Sequence, residues 1–540
     1  MFKKACIAVL SILAACCIFA SVPPVFSQIE DARAAIAQKD HLQALRILSG
    51  ISEEAATPDT YLYRGIAYAN LREYKRALEA FREGFNRYPA DPRFHSEGVA
   101  FYRRTGEIVD AKAQLRNALI ADPGDVYASE LLASLDLSDG NIGPALTVLN
   151  GRGQPQIATI LDNYSLTFSS SLKSSALAFR PGSMLHLNEW KTTAARLKAT
   201  KAFDSAGLEL ERSLEGETYN AIVRTSKKSN SPRGFLIGVL KGLPVKTTYL
   251  DISNIGGSPV QWTSKYRWDS ARRRAEGQLL IPVPLPGLLF VELGGVWRSE
   301  QWDVPSQGRF QYKSSGVRLN LKHIPDHRLE LGAGLEYLNR AAGKTGRVLL
   351  NGRFRPMDGK YKSQIRIDSF LARPSLLGNV NYTGGTIQLA NRLVLSEDRS
   401  TFFDVSVKGG NTRGRLPIED YFMLGIDSET VDPLRAHLAA DHGHYGRGPM
   451  GTGFVLVNSD IERRVAALPV LNKVPVHGEL FFDAAKLFDR YGIFPQRGWL
   501  FDVGVAARMQ LPDVDFVVLY GRNLREGKGV LTAYIERRFW

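Results

Sequence analysis

The chain has 540 residues and a formal net charge of +14, and its composition is 44% hydrophobic and 23% charged. This composition excludes a disordered or low-complexity chain, and the length allows roughly three or four domains. The three cysteines, Cys6, Cys16 and Cys17, all precede residue 28. A chain cleaved there would contain no disulfide, cysteine–zinc site or cysteine nucleophile.

The first segment has the pattern of a secretory signal. Two lysines precede an apolar run that ends at two prolines, and Val25-Phe26-Ser27 provides a cleavage site before Gln28. This pattern predicts that residues 1–27 are a signal peptide. A membrane anchor is one alternative, because the apolar run is near the lower limit for spanning a bilayer. Lipidation of Cys16, which follows Leu-Ala-Ala, is another.

The charge is unevenly distributed along the chain. Residues 28–150 carry 14 basic and 18 acidic side chains, whereas residues 151–540 carry 53 basic and 37 acidic ones. A basic region of this size indicates nucleic acid, an anionic membrane or another polyanion as a partner. The predicted signal argues against nucleic acid, so membrane lipid and an anionic polysaccharide remain.

Residues 28–150 are predicted to be helical and to contain a repeat of 34 residues. Tyr68 and Ala77 recur as Tyr102 and Ala111, and Phe81 follows Ala77 by four residues. The segment resembles the tetratricopeptide repeat, in which small residues let paired helices approach and aromatic residues fill the groove. The resemblance implies an all-α solenoid that presents a concave surface to a partner protein.

Residues 151–233 show a different pattern. Trp190, Ala194 and Leu197 lie on one face of a predicted helix, and two alternating runs follow as a predicted hairpin. With Pro181-Gly182, Arg196-Leu197 and Phe203, the stretch resembles a POTRA domain, the α/β module that precedes certain outer-membrane barrels. The resemblance implies client binding by strand addition to a sheet edge.

Residues 234–540 alternate between apolar and polar residues. Leu329, Leu331 and Leu335 alternate with charged residues or glycine, and six of the seven tryptophans lie in this region. Alternation with aromatic girdles is typical of a transmembrane antiparallel β-barrel. We predict such a barrel with 12–16 strands, 16 being favoured, in an outer membrane that leaves the N-terminal region in the periplasm.

The last hundred residues carry an ordered set of motifs. These motifs are Glu462 with Arg463 or Arg464, Phe481-x-Asp483-x-Ala485, Gly504-x-x-x-Arg508 with Pro512, and the terminal Phe539-Trp540. Their order resembles that of the bacterial surface-antigen superfamily, which includes BamA-type insertases, TamA-type factors and two-partner secretion transporters. In this family the terminal aromatic is part of the barrel assembly signal, which implies that role for Phe539 and Trp540.

The resemblance also implies a lock between a long loop and the barrel lumen. In the family, a loop arginine meets the Asp of the Phe-x-Asp motif. Here the spacing after YFMLG places Arg435 opposite Asp483 and Phe481, although the glycine and aromatic that usually follow the arginine are missing. Arg447 is the alternative. A bidentate arginine–carboxylate pair would hold the loop in place.

The predicted function is assembly, insertion or translocation of a client macromolecule, with the repeats recruiting periplasmic or client protein. Two alternatives remain: export of polysaccharide or surface lipoprotein, and a passive porin or adhesin. We predict no enzymatic activity, cofactor or metal, since no nucleophile–base set is evident and His442 and His444 lie in a glycine-rich loop. Arg272, Arg273 and Arg274 are predicted to form a solvated turn or a cluster at the membrane rim.

Overall fold

The computed structural model describes most of residues 24–536. The residues of this range that it does not describe are 89–90, 92, 107, 164–167, 214–217, 229, 231–238, 240–241, 244–245, 306, 342, 377, 399, 428–432, 469–473, 496–497 and 512–513. The predicted signal segment 1–27 therefore lies almost wholly outside the described residues, as do Phe539 and Trp540.

The chain divides into two compact units. One unit comprises Met1–Asn163, Phe179–Trp190 and Gly207–Arg224, and the other comprises Tyr164–Ala178, Lys191–Ala206 and Thr225–Trp540. The predicted module at 151–233 is thus shared between them.

The N-terminal region is a series of helices, as the repeat pattern predicts. They are α1 (Pro24–Ala37), α2 (His41–Ser49), α3 (Pro58–Asn70), α4 (Tyr74–Arg87), α5 (Arg93–Thr105), α6 (Ile108–Ala121), α7 (Val126–Ser138) and α8 (Ile142–Asn150). Asp40 caps α2 by accepting a hydrogen bond from the backbone amide of Gln43, and Asp125 caps α7 in the same way. No helix within the described residues is both long and apolar enough to cross a membrane.

Aromatic side chains fill the space between paired helices in this region. Ala77 and Phe81 of α4 are fully buried, and a Cβ atom on Gly65 of α3 would overlap the Phe81 ring. Gly84 stands in the same relation to Phe94. Small residues therefore let the helices approach while the rings close the core, which is the packing that the repeat pattern predicts.

The middle of the chain combines short helices with a small sheet. Its elements are β1 (Gln156–Asn163), α9 (Ser170–Ala176), α10 (Leu187–Ala199), β2 (Phe203–Arg212) and β3 (Thr218–Lys227). The sheet order is β1-β3-β2, and β1 runs parallel to β3. The predicted helix and two following strands are present, whereas β1 and α9 were not predicted, because neither has a clear apolar period.

In its described residues, the C-terminal region forms one large sheet of seventeen strands. Fifteen are long: β4 (Thr247–Ile252), β5 (Gln261–Asp269), β6 (Arg272–Val283), β7 (Leu289–Val304), β8 (Gly308–Asp326), β9 (Leu329–Arg340), β10 (Gly343–Asp358), β11 (Tyr361–Ala372), β12 (Tyr382–Val394), β13 (Thr401–Gly414), β20 (Gly453–Leu468), β21 (Val474–Phe488), β22 (Leu500–Leu511), β23 (Val514–Asn523) and β24 (Gly529–Glu536). Fifteen long strands lie within the predicted range, although the favoured number, 16, is not reached among the described residues.

Six short strands lie between β13 and β20. They are β14 (Phe422–Met423), β15 (Gly425–Ile426), β16 (Leu434–Leu438), β17 (Ala440–Asp441), β18 (His444–Tyr445) and β19 (Met450–Gly451). The long strands on either side, β13 and β20, pair directly with each other in antiparallel register. Residues 415–452 connect these two strands, and we call this segment the inward loop. Among its described residues, β17 and β18 join the large sheet by pairing with each other and with β7.

The two faces of the large sheet differ in composition. On β21, Leu480 and Phe482 are 60% and 41% exposed, whereas Glu479, Phe481 and Asp483 are buried. We call the face with exposed apolar side chains outward and the face with buried charges inward. Every long strand is antiparallel to its neighbour along the chain, so this alternation continues across the sheet.

The end of helix α10 contacts a turn of the large sheet. The Arg196 guanidinium donates hydrogen bonds to the carbonyls of Ile324 and Pro325, both at 3.0 Å, and burial lowers its pKa from the ordinary value. Lys191 of the same helix pairs with Asp358 at 2.9 Å. These contacts lie at the end of the sheet opposite the inward loop.

Candidate functional site: a loop anchored on the inward face

The inward loop contacts the sheet through a buried arginine. Arg435 lies on β16, and its side chain is only 4% exposed. Its Nε donates to both carboxylate oxygens of Asp483, at 3.1 and 3.0 Å, and its backbone amide donates to Asp483 Oδ2 at 3.0 Å. Asp483 therefore binds both the side chain and the main chain of one loop residue.

Two further carboxylates complete the partners of this arginine. Arg435 Nη1 donates to Glu479 Oε1 at 2.6 Å and to Asp460. Glu479 comes from the same strand as Asp483, and Asp460 comes from β20. We call these four residues, Arg435, Asp460, Glu479 and Asp483, the Arg435 cluster. Its hydrogen bonds are charge-assisted and shielded from water, which makes them stronger than neutral ones.

Phe481 supplies an aromatic surface beneath the arginine. The Arg435 guanidinium lies 4.1 Å from the centre of the Phe481 ring, within the range of a cation–π contact. Gly504 of β22 leaves room for this ring, because a Cβ atom there would overlap it, and Gly521 of β23 leaves room for the backbone carbonyl of Arg435, which a Cβ atom would approach to 2.8 Å. The Gly504-x-x-x-Arg508 motif is thus explained in part by the packing of Phe481.

Arg508 extends the charged network along the inward face. Its guanidinium donates to Glu479 Oε2 at 3.0 and 3.2 Å and to Asp515 at 3.3 Å. Two arginines therefore face four carboxylates: Asp460, Glu479, Asp483 and Asp515. Because these groups are buried, removal of one partner would leave an uncompensated charge.

A second carboxylate holds the loop residues that follow Arg435. Asp502 Oδ2 accepts a hydrogen bond from the backbone amide of Ala436 at 2.7 Å, and His437 Nδ1 lies 3.1 Å from the same oxygen. Asn523 Nδ2 lies 2.9 Å from His437 Nε2. Since an amide nitrogen donates, Nε2 accepts, which places the imidazole proton on Nδ1 toward Asp502.

The inward loop is also anchored away from the Arg435 cluster. Asp427 accepts hydrogen bonds from Arg267 at 2.7 Å, Arg272 at 3.1 Å and the Tyr445 hydroxyl at 2.6 Å. On other strands, Arg340 binds Asp420 through both terminal nitrogens, at 2.6 and 3.1 Å. The loop is therefore attached to the sheet at several separate places.

The structure separates the two arginines that the sequence left as candidates. Arg447 donates to Asp303 at 2.9 Å, its side chain is 49% exposed, and it does not belong to the Arg435 cluster. The arginine triplet is not a solvated turn. Because it lies on β6, Arg272 and Arg274 face inward, where Arg274 pairs with Glu300 at 2.6 Å, and only Arg273 faces outward.

Several residues of the site were not predicted from the sequence. Asp460, Glu479, Asp502 and Asn523 all contact the inward loop. Their strands alternate visibly between apolar and polar residues, so an inward orientation could be predicted from the sequence. The pairing register between strands could not. Among the described residues, no group of three or more His, Asp or Glu side chains has the arrangement of a metal site.

The predicted packing residues of the repeats lie in the core. Ala77, Phe81, Tyr102 and Ala111 are buried, and Tyr68 is partly buried against the same cluster.

Comparisons with known proteins agree with this organisation. Residues 60–125 match the family model of YpiA-like, C-terminal tetratricopeptide repeats. CdiB from Escherichia coli is 11% identical, with a TM-score of 0.52 over 71% of this chain and 75% of that one. CdiB from Acinetobacter baumannii is 12% identical, with a TM-score of 0.48 over 71% and 73% of the two chains. BamA from Haemophilus ducreyi lacking POTRA domains 1–3 is 10% identical, with a TM-score of 0.46 over 71% and 83%.

The C-terminal region shares its fold with CdiB from Escherichia coli. The N-terminal region contains tetratricopeptide repeats. The predicted order, such repeats followed by a large antiparallel sheet with one apolar face, is thus confirmed. No curated protein sequence matches this chain.

Proposed function

We propose that this protein is an outer-membrane assembly or translocation factor whose periplasmic repeats recruit a client. The observation that carries the proposal is the burial of Arg435 against Asp483 and Phe481. A long loop tied to the inward face by this pair is what the surface-antigen resemblance implies, and members of that superfamily insert or translocate other macromolecules.

The proposal includes closure of the barrel. The strand order places β24 next to β4, and pairing between them would leave no open sheet edge in the hydrocarbon. The outward side chains Leu335, Leu480 and Val505 would then contact lipid, whereas the inward charges would line the lumen. The turn contacted by Arg196 would lie on the periplasmic side.

The middle module supports the same assignment. Its helix α10 and three-stranded sheet are compatible with a POTRA-like domain, which we propose at residues 151–233. Because Arg196 and Lys191 connect α10 to turns of the barrel, this part of the module would keep a constant position relative to the lumen. The repeats would then bring partner proteins to the periplasmic side.

Export of an anionic polysaccharide is less well supported by the inward face. Such an exporter would present free positive charge along the lumen. Here Glu336 pairs with Arg318 and Arg347, Glu330 pairs with Lys322, and Asp404 pairs with Arg392. These inward cations are matched by carboxylates, which reduces the field that a polyanion would experience.

The test uses three chains in the native host: the full-length protein, a deletion of residues 28–150 and the Arg435→Ala variant. We expect all three to enter the outer membrane, while crosslinking from the repeats captures partners only with the full-length and Arg435→Ala chains. Replacement of the wild type by either variant should lower a defined set of outer-membrane or secreted proteins, measured by quantitative mass spectrometry.

The outcomes distinguish the candidate functions. Loss of outer-membrane proteins would indicate assembly, and loss of a secreted protein would indicate translocation. Loss of surface polysaccharide with an unchanged protein profile would favour the exporter. An unchanged surface composition in both variants would contradict the proposal and favour a passive pore.

A further inference from the structure

The outward face of β5, β6 and β7 contains a row of small residues. Ser264 pairs with Gly277, and Gly277 pairs with Gly295, so these three residues lie side by side on adjacent strands. Side chains on one face repeat every second residue, which places all three on the outward face with Leu293 and Trp297. The Trp262 ring lies over Gly277, and the surface is depressed beside that ring, toward Gly295.

Large side chains form the walls of the depression. Its volume is about 1200 Å³, and the rows on either side of the small residues are Trp262, Leu279 and Leu293, and Tyr266, Ala275 and Trp297. Leu293 and Trp297 are 44% and 42% exposed. A Cβ atom on Gly295 would have only the Gly316 carbonyl near it, at 4.0 Å, so the space above this glycine is open. We call this depression the outward groove.

Two cations lie beyond the aromatic wall of the groove. Arg273 on β6 and Lys313 on β8 both pair in register with Ser299 of β7, so they flank it on the outward face. Two strand spacings separate them, or roughly 10 Å. Both side chains are exposed, and neither forms an ion pair with any residue in the described part of the chain.

The position of the cations shows which end of the groove lies toward which end of the sheet. Arg273 is near the start of β6, next to the turn at Ala271, and the inward loop approaches this turn because a Cβ on Gly443 would meet Ala271. The cations therefore lie at the end of the sheet opposite the turn contacted by Arg196. Under the proposed function this end faces the outer leaflet.

We propose that the outward groove binds an anionic, phosphate-bearing lipid of the outer leaflet, with an acyl chain against the Trp262 ring and over Gly295. Arg273 and Lys313 would then bind the phosphate through charge-assisted hydrogen bonds. Tyr266 and Trp297 lie between the groove that holds the acyl chain and the cations that hold the phosphate, at the level where aromatic side chains border the headgroups. The inference rests on the proposed membrane barrel and adds a specific lipid site to it.

Native mass spectrometry of the full-length protein tests the site. The probes are phosphatidylglycerol, which is anionic, and phosphatidylcholine with the same acyl chains, which is zwitterionic. We expect the wild type to retain phosphatidylglycerol preferentially. The double variant Arg273→Gln/Lys313→Gln should lose about tenfold of this preference, the change expected from loss of a charge-assisted contact. Gly295→Leu should reduce the retention of both lipids by filling the groove.

Matched variants elsewhere on the outward face serve as controls. Arg463→Gln removes an exposed outward cation on β20, and Gly409→Leu adds the same side chain to an outward glycine on β13. Neither should change lipid retention. If Gly295→Leu does not fold, Ser264→Leu, in the same row, replaces it and should likewise reduce the retention of both lipids.

The outcomes separate the lipid site from the barrel itself. Heat-modifiable migration in detergent is measured first, and a wild type without it would overturn the proposed membrane barrel. A heat-modifiable wild type with equal retention of both lipids would overturn the lipid site alone. Capture of a polypeptide instead of lipid by a photoreactive residue at position 295 in cells would also overturn it and would identify the groove as a protein contact.

Discussion

The repeat region and the C-terminal region differ in how many charged side chains they bury. In the repeats, Phe81, Phe94 and Phe101 form an apolar core, and most charged residues face outward. In the C-terminal region, Arg435 of the inward loop and Glu479 and Asp483 of the large sheet are buried while leucines and valines are exposed. Burial of apolar surface therefore organises the repeats, whereas paired charges contribute to the organisation of the inward face together with apolar clusters. The two regions should therefore respond differently to the same kind of mutation.

The largest effect is expected in the Arg435 cluster. Arg435→Ala and Asp483→Ala should each destabilise the anchored loop by about 3–5 kcal/mol, because the first leaves buried Asp483 without a cation and the second removes the carboxylate that binds both the side chain and the main chain of Arg435. The double variant should be no worse than either single variant, which is the sign of direct coupling. Hydrogen exchange of residues 433–438 and protease sensitivity of the loop would measure the effect.

Arg447→Ala is the matched control for that experiment. Arg447 lies on the same loop, but its partner Asp303 holds it at an exposed position, so the change should cost about 1 kcal/mol or less. Strictly additive effects of Arg435→Ala and Asp483→Ala would contradict their coupling. An Arg447→Ala effect as large as that of Arg435→Ala would contradict the difference between buried and exposed anchors.

In the repeats the corresponding change is the removal of a buried ring. Phe81→Ala should destabilise this region by about 3–5 kcal/mol, because the cavity lies between α3 and α4 and cannot close readily. Loss of helical circular dichroism on heating would measure it. Val109→Ala, at a position that is 80% exposed, should change stability by less than about 0.5 kcal/mol. A tolerant response to Phe81→Ala would contradict an apolar core at this position.

A smaller effect is expected where helix α10 meets the barrel. Arg196→Met keeps most of the side-chain volume but removes the hydrogen bonds to Ile324 and Pro325, which should cost about 1.5–3 kcal/mol. Faster hydrogen exchange in α10 would report it. Lys198→Met, at an exposed position on the same helix, is the control and should leave the exchange rate unchanged. Equal exchange in both variants would show that the arginine does not hold the helix.

The smallest effect concerns a titratable group in the repeats. Burial and the hydrogen bond to Glu53 raise the pKa of Tyr61 to about 12. A raised pKa stabilises the folded state below the unfolded value near 10, and this contribution is lost as the pH rises toward 12. The free energy of unfolding of the repeats should therefore fall between about pH 10 and 12.

Tyr61→Phe should weaken that pH dependence and cost about 1 kcal/mol or less at neutral pH, since it removes one hydrogen bond. Chemical unfolding followed by circular dichroism at several pH values measures both quantities. An unchanged slope above pH 10 in the variant would assign the titration to another group.

The amino-acid sequence alone determined the type of the repeat helices and of the long strands. The 34-residue spacing of Tyr68 with Tyr102 and of Ala77 with Ala111 predicts paired helices, because small and aromatic residues must recur where the helices touch. The alternation around Leu329 and Leu331 predicts strands with one apolar face, because successive side chains point to opposite faces. These patterns are local, so they can be recognised without knowledge of distant contacts.

Only the tertiary structure decided which charges meet. The contact of Arg435 with Asp483 was implied by a family resemblance, but its partners Glu479 and Asp460 depend on the register between β20 and β21, where Asp460 pairs with Phe481 and Glu462 with Glu479. A shift of one residue would turn every one of these side chains to the other face. The same applies to Arg273, which faces outward between two inward arginines because of its place in β6. Register is set jointly by all neighbouring strands, which is why no single segment of the sequence contained it.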